Sequence, residues 1–193
     1  MPTTAEPPLT DPSQPRSVIV AGQELIIFPE SPPLVQAMVE DIRAARTRVW
    51  LEIYIILNDP AGGAVAEALK ERARAGLDVR VLYDAIGSFS TATAFFRDLE
   101  AAGVRVHAFH SVWEAFWRFS PLRILNRRNH RKLLVVDEEI AYFGGMNLVD
   151  QSHVVTREQA EELPASTGWR DIHVRLSGPR QRDVAESFER SWR

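Results

Sequence analysis

A polar turn between two apolar runs, in the stretch Asn129 to Asn147 (NHRKLLVVDEEIAYFGGMN), constrains the fold more than any other part of this chain. Leu133 to Val136 and Ile140 to Phe143 are apolar and rich in strand formers, and Asp137, Glu138 and Glu139 separate them, so the stretch reads as two strands joined by a short turn. His130 and Lys132 stand two residues apart at the mouth of the first strand, where both side chains leave the same face of an extended chain. Folding about Glu138 sets Gly144 opposite Lys132 and puts Asn147 just beyond His130. Gly144 and Gly145 let the backbone approach a ligand closely, and the Asn147 amide can donate to an oxygen held there. An imidazole, an ammonium and an amide donor are thus expected around one anion-sized gap.

The rest of the chain supplies strands and helices in alternation. Val18 to Phe28 suggests a short strand or hairpin, and Ser31 caps a predicted helix whose first turn holds Pro32 and Pro33 and whose apolar stripe is Leu34, Met38, Ile42 and Ala45. Val49 to Leu57 reads as a buried strand that contains Glu52. A helix over Ala64 to Ala75 ends at Gly76, a strand follows over Asp78 to Asp84, then a helix over Ala92 to Ala102 and a strand over Val104 to Phe109. Trp169 to Leu176 alternates, with Ile172, Val174 and Leu176 on one face and Asp171, His173 and Arg175 on the other. A final helix, Arg182 to Trp192, carries Val184, Phe188 and Trp192. The fold class is α/β: a mixed, largely parallel central sheet flanked by helices. Asp59, Asp84, Gly87 and Ser88 fall at strand ends, where they serve either as caps and turns or at the ligand-binding edge of such a sheet.

Residues 1–16 are rich in Pro and Thr, with neither a basic start nor an apolar core, and read as a disordered tail; residues 17–193 form a single lobe. Val49 to Leu57, the longest apolar run, falls well short of the roughly 20 residues that cross a bilayer. No cysteine is present, and H-x-x-x-H and H-E-x-x-H are absent, so no metal or other cofactor is expected. Val112 to Arg128 interleaves Trp113, Phe116, Trp117 and Phe119 with Arg118, Arg123, Arg127 and Arg128. This suits either an interface with anionic headgroups or a buried lid.

The spacing H-x-K, four residues, D, six residues, G-G-x-N, on His130, Lys132, Asp137, Gly144, Gly145 and Asn147, resembles the phospholipase D superfamily without departure. From about Val18 onward the chain is similar to the amino-terminal half of bacterial cardiolipin synthases that lack transmembrane helices. The resemblance implies a phosphatidyl transfer in which His130 forms a phosphohistidine. Lys132 and Asn147 would stabilise the phosphoryl oxygens, and Asp171 would hold the other ring nitrogen. Gly144, Gly145, Arg127 and Arg128 would contact substrate. Asp137 belongs to the signature and so stands among the catalytic candidates, although its place in the turn reads more as that of a hairpin-stabilising residue.

The resemblance also implies two H-x-K motifs per active site, and this chain has one. A second lobe is expected from a missing carboxyl-terminal half or from a homodimer partner; a non-catalytic phospholipid-binding fragment and a metal-independent homodimeric endonuclease are the alternatives. The implied substrate is phosphatidylglycerol, at the inner face of the cell membrane, where a cytoplasmic protein would bind peripherally. A net charge of -3 argues against nucleic acid as the partner.

Overall fold

The computed structural model describes residues 13–109, 129–150 and 171–193. The stretch from Val112 through Arg127 and Arg128, the polar loop Ser152 to Thr167, and Trp169 lie outside the described residues, as do residues 1–12. Eight strands of the described residues form one sheet: β1 (Arg16–Val20), β2 (Gln23–Phe28), β3 (Arg48–Ile53), β4 (Asp78–Asp84), β5 (Arg105–Phe109), β6 (Leu133–Val136), β7 (Ile140–Gly144) and β8 (His173–Ser177). Among the described residues four helices flank it: α1 (Ser31–Ala44), α2 (Pro60–Arg74), α3 (Thr93–Ala101) and α4 (Gln181–Trp192).

The strand order is β1-β2-β8-β7-β6-β3-β4-β5. Among these described strands β3-β4 and β4-β5 pair in parallel, and the other five neighbouring pairs are antiparallel. The mixed sheet between helices is as expected, but "largely parallel" holds for its β3-β4-β5 side alone. The reason is local: helical crossovers join β3, β4 and β5, while tight turns join β1 to β2 and β6 to β7. In the first of these turns Ala21 and Gly22 both have positive φ, the backbone that tight hairpin turns require.

The elements follow their sequence signals with a few instructive shifts. β4 has the predicted bounds. α2 starts at Pro60 rather than Ala64, because the Asp59 side chain accepts from Gly62 N–H and caps it. Ser31 is the first helical residue of α1 and is buried, not its cap; Glu30 occupies that position. β3 ends at Ile53, short of Leu57, as the chain leaves the ladder and Ile56 bridges to Leu148. β1 begins at Arg16, the last residue of the expected tail.

One face of the sheet packs under α1, α2 and α3, with Leu34, Met38 and Ile42 of α1 meeting Val49, Leu51, Leu134 and Tyr142. On the other face, Phe188 of α4 stacks on Trp50 at 5.3 Å between ring centroids. With both faces covered, alternation no longer separates core from solvent. The polar side of β8 turns inward: His173 is buried, and Arg175 pairs with Asp41 of α1 at 2.7 Å. Ile172, expected on the apolar side, is 58% exposed.

Candidate active site

The strand directions bring the motif to one edge of the sheet. β3, β4, β5 and β7 end there, and β6 and β8 begin there. The turn folds about Glu138, with Val136 paired to Ile140 and Leu133 to Phe143, so Lys132 and Gly144 extend the same register. Gly144 in turn pairs with His173.

Lys132 is almost completely buried, and its Nζ lies 3.3 Å from His130 Nδ1 and 3.4 Å from Nε2 while donating to the His130 carbonyl at 3.0 Å. The ammonium also sits 5.2 Å from the centre of the Tyr54 ring, within the range of a cation–π contact. Burial lowers the Lys132 pKa, and the Asp171 carboxylate opposes that shift. His130 itself is exposed and leans on Tyr54, ring centroids 4.6 Å apart. The base and the cation expected at one spot are therefore together, over an aromatic floor.

Tyr54 is a component that its residue type did not signal. The 84–88 turn holds it in place: Ser88 Oγ donates to the Tyr54 carbonyl, and a Cβ on Gly87 would stand 2.3 Å from that oxygen. Asp84 Oδ1 closes the turn by accepting from Ile86 and Gly87 N–H. Asp59 caps α2 and accepts from Asp150 N–H. These four strand-end residues thus act as caps and turns that support the site.

Asn147 Oδ1 accepts from Ile55 N–H at 3.3 Å, and Leu148 N–H donates to the Ile55 carbonyl. The segments following β3 and β7 run side by side, and the Asn147 oxygen is committed to that junction, which leaves its NH2 as the donor end.

The glycine pair has a different neighbour from the one expected. A Cβ at Gly144 would meet the Ile172 carbonyl at 2.4 Å and the His173 ring at 2.9 Å, and one at Gly145 would meet Asp171 Oδ1 at 2.5 Å. The missing side chains make room for the start of β8. Asp171 accordingly lies against Gly145 and acts electrostatically on Lys132. His173, behind Gly144, is 1% exposed, and among the described residues neither ring nitrogen has a hydrogen-bond partner. Burial, and next the Lys132 charge, push its pKa down to about 4.

Asp137 does not join this group. It occupies the turn at the opposite end of β6, about 17 Å along the strand from Lys132. It has a φ of 52°, and its Oδ1 accepts from Thr47 N–H, Thr47 Oγ1 and Arg48 N–H at 2.7–3.0 Å while Oδ2 accepts from Arg46 N–H at 2.9 Å. Burial raises its pKa, but these donors outweigh burial and hold the carboxyl below its ordinary value. As a catalytic candidate it is corrected to a turn anchor. Arg127 and Arg128 lie outside the described residues.

Residues 38–168 match the family model described as the cardiolipin synthase, PLD-like domain. Cardiolipin synthase A of Pseudomonas fluorescens is 33% identical over 177 residues, which is 92% of this chain and 35% of that protein. The chain spans about a third of the length of the curated relatives it matches. Among solved structures, Nuc of Salmonella typhimurium, a phospholipase D family member, superposes with a TM-score of 0.55 at 16% identity, covering 88% of this chain and 93% of that one. The phosphatidylserine synthase of Haemophilus influenzae gives 0.58 at 15% identity, over 84% of this chain and 35% of that one. The motif geometry, the matching family model and the shared fold agree: this chain belongs to the phospholipase D-like domain family of the cardiolipin synthases.

Proposed function

We propose that this chain is one lobe of a phosphatidyltransferase in which the His130 imidazole attacks the phosphorus of a phospholipid diester. The observation that carries this reading is the Lys132 ammonium buried 3.3 Å from the His130 ring at the sheet edge. A phosphodiester repels anionic nucleophiles, and a neutral imidazole meets no such barrier. An N–P bond forms at His130 as the P–O bond to the first alcohol breaks, and the acceptor alcohol then reverses the step. Lys132 and the Asn147 NH2 would meet the non-bridging oxygens as charge builds on them, each donor worth about 3 kcal/mol. Asp171 would orient the imidazole or balance the Lys132 charge, and Gly144 and Gly145 would border the substrate through their backbone.

The acid that protonates the leaving alcohol would come from a second H-x-K, carried by a further segment or by a second copy of the chain. Phosphatidylglycerol is the proposed substrate, met at a membrane surface; among the described residues, no helix is long and apolar enough to cross a membrane. Labelled phosphatidylglycerol, followed by lipid chromatography, should give cardiolipin and glycerol, with a trapped phosphatidyl-enzyme that disappears in His130→Ala. Label retained in that variant would remove His130 from the role. DNA nicking in EDTA without lipid products would favour the endonuclease reading.

A further inference from the structure

An exposed histidine must still be presented at one angle, and nothing in its own side chain ensures that. The two residues flanking His130 are held firmly. Asn129, nearly buried, donates its N–H to Asp84 Oδ2 at 3.0 Å and its Nδ2 to Glu52 Oε1 at 2.6 Å. Its Oδ1 accepts from Arg131 N–H at 3.3 Å, closing a turn that spans His130. Arg131 lies 3.6 Å from the same Glu52 oxygen and donates to the Ser187 carbonyl and to both Ser187 and Ser191 of α4. Glu52 is fully buried in the middle of an apolar strand and Asp84 is 2% exposed. Two carboxylates from β3 and β4 therefore converge on one asparagine.

Burying those carboxylates costs free energy that a better-packed apolar pair would avoid. Glu52 Oε1 and Asp84 Oδ2 both accept from Asn129, next to His130, while Asp84 Oδ1 closes the turn that holds Tyr54 beneath the same ring. We propose that Asn129 is a positioning residue, clamped by Glu52 and Asp84, which fixes the angle at which His130 faces the phosphoryl group, and that Arg131 extends the clamp to α4. The inference rests on the reading of His130 as the attacking group. It adds β3, β4 and α4 to the machinery, although none of their side chains named here touches substrate.

The test is an exchange of donor and acceptor across the Asn129–Glu52 hydrogen bond, made in the full chain. Asn129→Ala breaks the bond, and Asn129→Asp sets two carboxylates against each other. Each should slow phosphatidyl-enzyme formation by about 100-fold, the scale of a 1 Å misplacement, with little change in apparent lipid affinity. Glu52→Gln keeps an acceptor oxygen and should stay within about tenfold of the parent. The double variant Asn129→Asp/Glu52→Gln restores the bond reversed and should regain at least about tenfold over Asn129→Asp alone.

A second readout is the nuclear Overhauser cross-peak between the His130 ring and Tyr54, whose ring centroids are 4.6 Å apart. It should fade in Asn129→Ala and Asn129→Asp and return in the double variant. A folded Asn129→Ala protein with the cross-peak intact and labelling within about twofold of the parent would overturn the proposal. If Asn129→Ala does not fold, failure of the double variant to recover either signal overturns it. Absence of label in the unmutated chain would instead count against the phosphatidyltransferase reading, and the cross-peak alone would then decide the clamp.

Discussion

Removing the Asp137 carboxylate separates the signature's chemistry from its architecture. Asp137→Ala deletes the acceptor of four hydrogen bonds from Arg46 and Thr47, which lead into β3, and from Arg48, its first residue. Bonds to a charged group contribute about 1.5–3 kcal/mol each, but these share one partly exposed carboxylate and are not additive, so about 3 kcal/mol in total is reasonable. Alanine also tolerates a φ of 52° less well than Asp, which costs a further 1 kcal/mol or so, roughly the lower bound for left-handed backbone. A loss of about 4 kcal/mol lowers Tm by roughly 10 °C in a chain of this size. Asp137→Asn keeps one acceptor oxygen and tolerates the backbone, so it should lose less than half as much.

The pH dependence follows from the depressed carboxyl. The unfolded chain takes up the proton first as pH falls, so the Asp137 contribution is complete above about pH 4, the ordinary Asp range, and is lost below it. The gap in Tm between parent and Asp137→Ala, read by circular dichroism melts, should therefore narrow below that pH. The His130–Tyr54 cross-peak should survive in both variants. A Tm within about 2 °C of the parent, or a lost cross-peak with an unchanged melt, would refute the assignment of Asp137 as an anchor.

His173 should make stability fall as pH drops from about 6.5 to 4: its folded value of about 4 lies below the unfolded one, so the unfolded state gains the proton first. His173→Phe should flatten that part of the profile, and an unchanged slope in urea titrations would count against a buried neutral imidazole. Gly144→Ala should force β8 away from β7, since its Cβ would meet backbone at 2.4 Å; amide exchange at Gly145, whose N–H donates to the Ile172 carbonyl, would speed up by at least about tenfold. Lys132→Met should preserve the fold yet abolish labelling of His130, because it fills the same space without a charge; retained labelling would exclude the ammonium from the reaction.

Spacing made the turn about Glu138, the pairing of Lys132 with Gly144, and the bounds of β4 legible, because each depends on neighbours close in sequence. The insertion of β8 between β2 and β7 was not legible, since no local pattern states which distant strand will pair. That placement reversed the reading of β8: His173 and Arg175 look like a solvent face until α1 is set over them. Tyr54 gave no signal at all, because an aromatic residue at the end of an apolar strand is ordinary. Glu52 did give one, a lone carboxylate within an apolar run, but its partner Asn129 lies 77 residues away. Asp137 shows the converse limit, a signature residue whose fixed spacing from the histidine reflects a shared strand, not a shared task.

The position of β8 also sets an order of assembly. Among the described residues, the amino-terminal hairpin reaches the remainder of the sheet by pairing with a strand made near residue 175. During synthesis that hairpin would stay undocked until β8, His173–Ser177, had left the ribosome. A nascent chain halted before residue 171 should therefore expose Leu25 to Phe28, which pair with β8, to proteases and chaperones, and adding a peptide of residues 171–193 should protect them.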